Sequence, residues 1–222
     1  TNNSEQKEEQ IVIKDEVITN DSLSEGTVAL SQLPTYPNSV ILTGLADHRL
    51  VTVYSDRVKE RTTSGSFTLS KRYNDYDGSE TEFVEHYMPG IDILYGYNLL
   101  NIAHYDLKQE KLNFLLKSPG LVKTLYYPSF IQDSLDKKPI TRNYYLMSVY
   151  DEDTNKDTLI NNKDLRKFYH FDESSVIKTQ LISNDYSVER SQYDPKNDVM
   201  YICARHYDNA NGSTDKKKEP LH

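Results

Sequence analysis

From Ser39 onward the chain sets short apolar runs against clusters of Asp, Asn, Gly and Pro, and the apolar residues almost nowhere recur at helical spacing. Runs of four to eight residues rich in Val, Ile, Tyr and Phe, closed off by turn formers, are strand signals. They predict strands at 39–44 and 49–54 around a turn at Asp47-His48, and at 66–73 and 81–87 around Asp77-Gly78. Further strands are predicted at 92–97, 100–105, 112–116, 122–127, 144–150, 168–171, 177–182, 188–193 and 199–204. Helical periodicity is visible only at 163–168, so the expected fold class is all-β.

An internal repeat sharpens that expectation. The segment Asn101-Ile102-Ala103-His104-Tyr105-Asp106, followed by an apolar run at 112–116, matches Lys167-Phe168-Tyr169-His170-Phe171-Asp172, followed by 177–182. His104 and His170, Asp106 and Asp172, Leu115 and Leu181, Val122 and Val188, and Tyr127 and Tyr193 all share one offset, 66 residues. Each copy leads into a Tyr-rich strand and then an Asp/Asn loop, at 144–155 and again at 200–211. A strand ending in an aromatic-Asp turn, a second strand and a further aromatic strand resemble the blades of a β-propeller, notably the TolB-like kind. The resemblance implies a propeller-like array of antiparallel blades with an inserted calcium loop. A β-sandwich is the alternative. Glu219-Pro220-Leu221-His222 falls where a further strand is expected to begin, which makes the chain a fragment or leaves its last blade to be completed by another segment or chain.

Residues 1–35 read as a separate acidic tether, leaving 36–222 as a single β domain. Glu5, Glu8, Glu9, Asp15, Glu16, Asp21 and Glu25 outweigh Lys7 and Lys14, with Asn and Ser between them. Such a stretch buries too little apolar surface to offset its ordering entropy. Only Ile11-Val12-Ile13 with Val17-Ile18 has the makings of a short docked strand. The whole chain carries 34 acidic and 26 basic residues, a formal charge of −8, which argues against non-specific binding to nucleic acid or anionic membrane. No run approaches the ~18 apolar residues of a membrane helix, and no signal peptide is visible, so the chain is expected to be cytosolic or already processed. The lone Cys203, in the run Val199-Met200-Tyr201-Ile202-Cys203-Ala204, is expected to be a small buried core residue.

The strongest chemical signal lies at residues 153–164. Counting Asp153 as position one of a twelve-residue loop, Asp153, Asn155 and Asp157 take positions one, three and five, the Leu159 carbonyl position seven, Asn161 position nine and Asp164 position twelve. Calcium takes six to eight hard oxygens, and alternate side chains of a tightly coiled loop supply them. Ile160, at position eight, is expected to pin the loop to the core. A frame beginning at Asp151 places Leu159 at position nine and loses that apolar residue, so it is rejected. Thr158 stands where such loops use Gly for a sharp turn, which predicts strain. Asp164 stands where the bidentate Glu is usual. Asp-x-Asn-x-Asp-x-x-Ile-Asn-x-x-Asp followed by Leu165-Arg166-Lys167-Phe168-Tyr169 is similar to a dockerin loop of the EF-hand type, in which Asp at the last position is normal. The strand expected before it makes this a strand–loop–short helix site. A second candidate, with Asp208, Asn211, Asp215 and Glu219, occupies the equivalent point of the repeat with imperfect internal spacing.

No phosphate loop, nucleophile elbow, zinc-protease motif or Cys-x-x-Cys is present. The His-x-Asp pairs His104/Asp106 and His170/Asp172 read as turns that satisfy their own backbone rather than as acid/base pairs. The Tyr-rich run at 90–105 reads as core strand, with a binding face as its alternative. An acidic, Ser/Asn-rich leader before a β domain resembles the tether of a mature bacterial lipoprotein, and the Asn/Lys/Tyr-rich composition resembles envelope proteins of the Bacteroidota. These likenesses imply a non-enzymatic calcium-binding protein, exported to the periplasm or cell surface and associated with the outer membrane. It would touch the membrane only through an N-terminal lipid and would bind a protein partner in an envelope complex. A carbohydrate-binding or carbohydrate-active protein with structural calcium is the rival. A dockerin-like module is disfavoured by the strands between the two loops. A flat apolar interface favours the protein partner; a row of exposed Tyr with two close carboxylates favours the sugar.

Overall fold

The structure, a computed structural model, describes residues 30, 33–55, 88–96 and 99–207. The acidic segment 1–29, the hairpin expected at 66–87 and the second loop at 208–219 lie outside the described residues. Within them the chain forms thirteen strands and no α-helix.

Two antiparallel sheets form the body. The four-stranded sheet runs β1 (Thr35–Leu42), β2 (His48–Ser55), β4 (Asn101–Asp106), β5 (Lys111–Phe114). The five-stranded sheet runs β11 (Lys178–Gln180), β10 (Lys167–Asp172), β9 (Tyr144–Tyr150), β6 (Leu121–Pro128), β3 (Ile91–Tyr95). Two hairpins complete the chain: β12 (Tyr186–Asp194) with β13 (Val199–His206), and β7 (Asp133–Leu135) with β8 (Lys138–Ile140).

Period-two alternation explains how these pieces stack. On β9, Tyr145, Met147 and Val149 point into a core shared with Leu50 and Ile102 of the four-stranded sheet, while Leu146 points the other way. That second face packs Leu146, Tyr126 and Phe168 against Val188, Met200 and Ile202 of the β12–β13 hairpin. The five-stranded sheet is thus a middle layer buried on both faces, which is why residues 145–149 are buried without a break.

The layers repeat in register as well as in sequence. His104 lies opposite Leu50 on one side and Asn113 on the other; His170, 66 residues on, lies opposite Leu146 and Thr179. The amide of Leu115 bonds to the Ile102 carbonyl at 2.9 Å, and that of Leu181 to the Phe168 carbonyl at 2.9 Å. One extra residue is inserted just past Pro37 in β1, past Val122 in β6 and past Val188 in β12. A bulge accentuates twist at a fixed place, and these three fall at equivalent register positions of β1, β6 and β12. Tyr127 and Tyr193 are both buried, as the repeat requires. Leu115 and Leu181 share their backbone bond but not their burial, at 4 % and 47 % exposed. The third layer has two described strands, β12 and β13.

Two expectations need correction. No short helix follows the loop at 153–164: Leu165 and Arg166 lead straight into β10, because from Lys167 onward the backbone pairs with β9. The site is strand–loop–strand. Cys203 is half-exposed, since it lies on the face of β13 turned away from the Met200 and Ile202 contacts. The fold is all-β and antiparallel throughout.

Candidate functional site

The loop that joins β9 to β10 begins after Asp151. One Asp151 oxygen accepts the Tyr169 hydroxyl at 2.9 Å and lies 3.4 Å from Lys178 Nζ. Asp151 is therefore held against the sheet, outside the loop frame that begins two residues later.

The short polar side chains then organise the backbone, as Asx residues do in turns. Asp153 accepts the amide of Asp157 at 3.1 Å with Oδ1 and that of Thr158 at 2.9 Å with Oδ2. Asn155 Oδ1 accepts the same Asp157 amide at 3.0 Å, so oxygens from positions one and three meet at one nitrogen. Asp157 Oδ1 accepts the amide of Leu159 at 2.9 Å, and its Oδ2 receives Asn155 Nδ2 at 3.0 Å. This coil requires left-handed backbone at Lys156 (φ 62°) and Thr158 (φ 75°). A β-branched residue in that region stores on the order of 1–3 kcal/mol. Thr158→Gly is expected to release about 1 kcal/mol net of glycine's extra unfolded-state entropy, raising Tm by about 2–4 °C. A melting temperature that stays level or falls would show that Thr158 carries no such strain.

Asp164 closes the loop. Its carboxylate is fully buried and accepts four hydrogen bonds: the Thr154 amide (2.8 Å), the Thr154 hydroxyl (3.2 Å) and the Asn155 amide (3.3 Å) on Oδ1, and the Asn161 amide (2.9 Å) on Oδ2. Burial pushes its pKa up, and the Asn161, Thr154 and Asn155 donors pull against that. Asn161 Oδ1 in turn accepts the Lys163 amide at 2.7 Å. Ile160, the expected apolar pin, is only half-buried; Leu165 fills that role, buried and bonded through its amide to Thr154 Oγ1 at 2.9 Å.

Arg166 ties the loop to the third layer. Its Nε donates to the Val188 carbonyl at 2.6 Å, its Nη2 donates to the Glu189 carbonyl, and its own carbonyl accepts the Val188 amide at 2.9 Å. Those partners sit at the β12 bulge. The coiled loop and the register of the next layer are therefore mechanically joined.

The structure brings Asp153, Asn155 and Asp157 together, with the Leu159 peptide beside them, and places Asp164 behind them as an internal anion. Asp208, Asn211, Asp215 and Glu219 lie outside the described residues. Among the described residues no group of three His, Cys, Asp or Glu converges as a ligand set. The oxygens that do converge come from two carboxylates and an amide. Thr154 and Arg166 were not singled out in the sequence. Thr154 carries no signal of its own, and Arg166 depends on a bulge that only the pairing reveals.

The two His-x-Asp pairs do what turns require. Asp106 Oδ1 accepts the amides of Lys108 and Gln109; Asp172 accepts the Ile177 amide and the Ser174 hydroxyl. His104 differs from His170 in being fully buried. Its Nε2 shares a hydrogen bond of 3.0 Å with His48 Nδ1, and its ring meets that of Tyr145 edge-on. Burial, then the neighbouring His48, lowers its pKa from 6.5, while Asp106, the Glu173 carbonyl and Asp172 oppose the shift. The native state thus holds His104 neutral where the unfolded chain already binds a proton. Stability from this group is complete above pH 6.5 and lost as pH falls from there through the lowered folded pKa. Acidification from about pH 7.5 to about pH 5.5 should lower Tm, and His104→Gln, which cannot titrate, should shrink that drop. An undiminished drop would place the acid sensitivity elsewhere.

No protein-family profile, no curated protein and no solved structure matches this chain.

Proposed function

We propose that this chain is a calcium-braced, propeller-like protein that works by binding another protein, as an exported accessory subunit of a bacterial envelope complex. It is not an enzyme in this reading, and an N-terminal lipid would be its attachment to the outer membrane. The observation that carries it is the coil at 153–158, in which three alternate polar side chains accept backbone amides around two left-handed residues, the arrangement an EF-hand-type turn would need.

The donor set suits a hard cation. Asp153 and Asp157 each have two oxygens with one hydrogen bond apiece, which leaves further acceptor capacity on every one. Asp164 Oδ2 likewise holds a single amide, whereas Oδ1 is saturated by three donors. Asp153, Asn155, Asp157, the Leu159 carbonyl, Asn161 and Asp164 Oδ2 would hold calcium. The ion would supply positive charge that relieves the buried Asp164 carboxylate and crosslinks the two ends of the loop. Since Arg166 follows directly, the benefit would pass to the contact with β12. Asp208, Asn211, Asp215 and Glu219 would serve the next layer in the same way.

The three equivalent bulges support blades over a simple two-sheet sandwich, because a sandwich has no need of a third copy. The exposed apolar side chains Leu112 and Phe114 on β5, with Val40 and Leu42 on β1, support a protein partner over a sugar. Isolation of the native protein with its companions tests the reading. A second envelope protein is expected to co-purify in millimolar calcium and to be lost with Asp157→Ala. Recovery of a bound glycan and no protein would overturn it.

A further inference from the structure

Lys167 opens β10 with its side chain only 2 % exposed, and a lysine is almost never buried so completely unless it is paired. Its Nζ donates to Asn184 Oδ1 at 2.9 Å, and Glu152 Oε2 lies 3.7 Å away. Gln180 Nε2 donates to the same Asn184 oxygen at 2.8 Å and to the Ile182 carbonyl at 2.6 Å. An amine, a carboxamide and a carboxylate therefore meet at one point, with the carboxamide oxygen held by two donors.

The repeat does not call for this arrangement. In the first copy the place of Lys167 is taken by Asn101 and that of Asn184 by Ser118. Asn101 stays within its own layer: Oδ1 accepts the Ile102 amide at 2.8 Å and the Leu116 amide at 3.1 Å, and Nδ2 donates to the Leu116 carbonyl at 2.9 Å. Lys167 reaches instead to the connection between β11 and β12, where the chain passes from the middle layer to the third. The backbone fixes both ends. Lys167 pairs with Val149, the Leu181 amide is bonded to the Phe168 carbonyl, and the Tyr186 amide to the Ser183 carbonyl at 3.1 Å. Groups held in contact in this way react as though at very high concentration.

We infer that Lys167 and Asn184 condense after folding into a side-chain amide, a covalent crosslink between the middle layer and the entrance to the third. As the free amine, Lys167 Nζ adds to Asn184 Cγ. The C–N bond of the carboxamide then breaks, and its nitrogen leaves as ammonia with the proton that Nζ gives up. Glu152 Oε2 is the oxygen placed to carry that proton, and Glu152 ends the step as it began. Gln180 stays on the carbonyl oxygen, where negative charge develops during the addition. No electrons change hands and no co-reactant enters. Glu152 and Asn184 are both exposed, so the ammonia has a way out. The product puts a neutral amide where a chargeable amine was buried, which removes the cost of burying a charge. It also closes a loop between residues 17 apart, which restricts the unfolded chain as a disulfide does, in a chain whose single cysteine allows no internal disulfide. The bond needs neither calcium nor a partner.

The test is the intact mass of the purified full chain under denaturing conditions, for wild type, Lys167→Arg and Asn184→Ala, followed by peptide mapping. Wild type is expected to be lighter than its sequence by one ammonia. Trypsin, which cannot cut at a joined lysine, is expected to release one branched peptide that carries both Lys167 and Asn184. Each variant is expected at its full sequence mass. Circular dichroism checks that the variants fold, and Asn184→Ala, on an exposed side chain, serves where the buried Lys167→Arg does not. A wild type at its full sequence mass overturns the inference. So does a loss of ammonia that persists in either variant, because an asparagine has then closed on its own backbone instead.

Discussion

Phe168→Ala is expected to lower stability by about 3–5 kcal/mol, the usual cost of emptying a buried aromatic site. Phe168 sits in the middle of β10, 1 % exposed, with its ring edge-on to Tyr126 at a centroid distance of 6.1 Å. Its side chain belongs to the core between the five-stranded sheet and the hairpin, where Leu146, Val188, Met200 and Ile202 meet it. The backbone around it is fixed on both sides: Phe168 pairs with Ser148 of β9, and its carbonyl holds Leu181. The cavity therefore cannot collapse without breaking a ladder. For a domain of this size each kcal/mol is about 2–4 °C, so Tm should fall by roughly 6–20 °C. A loss below about 1 kcal/mol in a urea melt would mean that the hairpin does not pack on the middle layer as a third unit.

Chelation of calcium is the second large effect. A site with a Kd of about 10⁻⁵ M, within the EF-hand range, is held at about 100 times its Kd by millimolar calcium and contributes roughly 2.7 kcal/mol. Removing the ion should lower Tm by about 5–11 °C on the same scale. Asp157→Ala should start from the lower value and lose little more on chelation. The effect should be felt beyond the loop, because Asp164, Leu165 and Arg166 carry it into the β12 bulge. Hydrogen exchange at Val188 and its neighbours is then expected to quicken when calcium is withdrawn. Equal melting with and without chelator would leave the coil at 153–158 as a hydrogen-bonded acidic turn.

Much of the fold was legible because one face of most strands is buried and alternation records it. The apolar stretch 144–150 was found to the residue, since burial on both faces leaves an unbroken run. The repeat was legible through His104, Asp106 and their partners, whose turns need the same residue types in each copy. The hairpin β7–β8 was missed. Its strands are three residues long, and its turn uses Asp136 and Lys137, both at positive φ (51° and 65°), without the glycine that announces such turns. The helix expected at 163–168 failed because Leu165 and Phe168, three apart, satisfy helical spacing while the Leu165 amide is bonded to Thr154 Oγ1 and the backbone from Lys167 onward is claimed by β9. In the loop, the polar residue types were legible and their division of labour was not. Asp164 looks like any other carboxylate in the sequence, yet three of its four hydrogen bonds reach back to Thr154 and Asn155. Burial set that role, and a linear pattern carries no record of it.

The central claim is that the loop at 153–164 binds calcium, and equilibrium dialysis at millimolar calcium tests it most directly. Wild type should retain bound calcium, and Asp153→Ala and Asp157→Ala should each bind one ion fewer per chain. The circular dichroism spectra of both variants should still report a β protein. Wild type with no bound calcium, or variants that bind as much as wild type does, would contradict it.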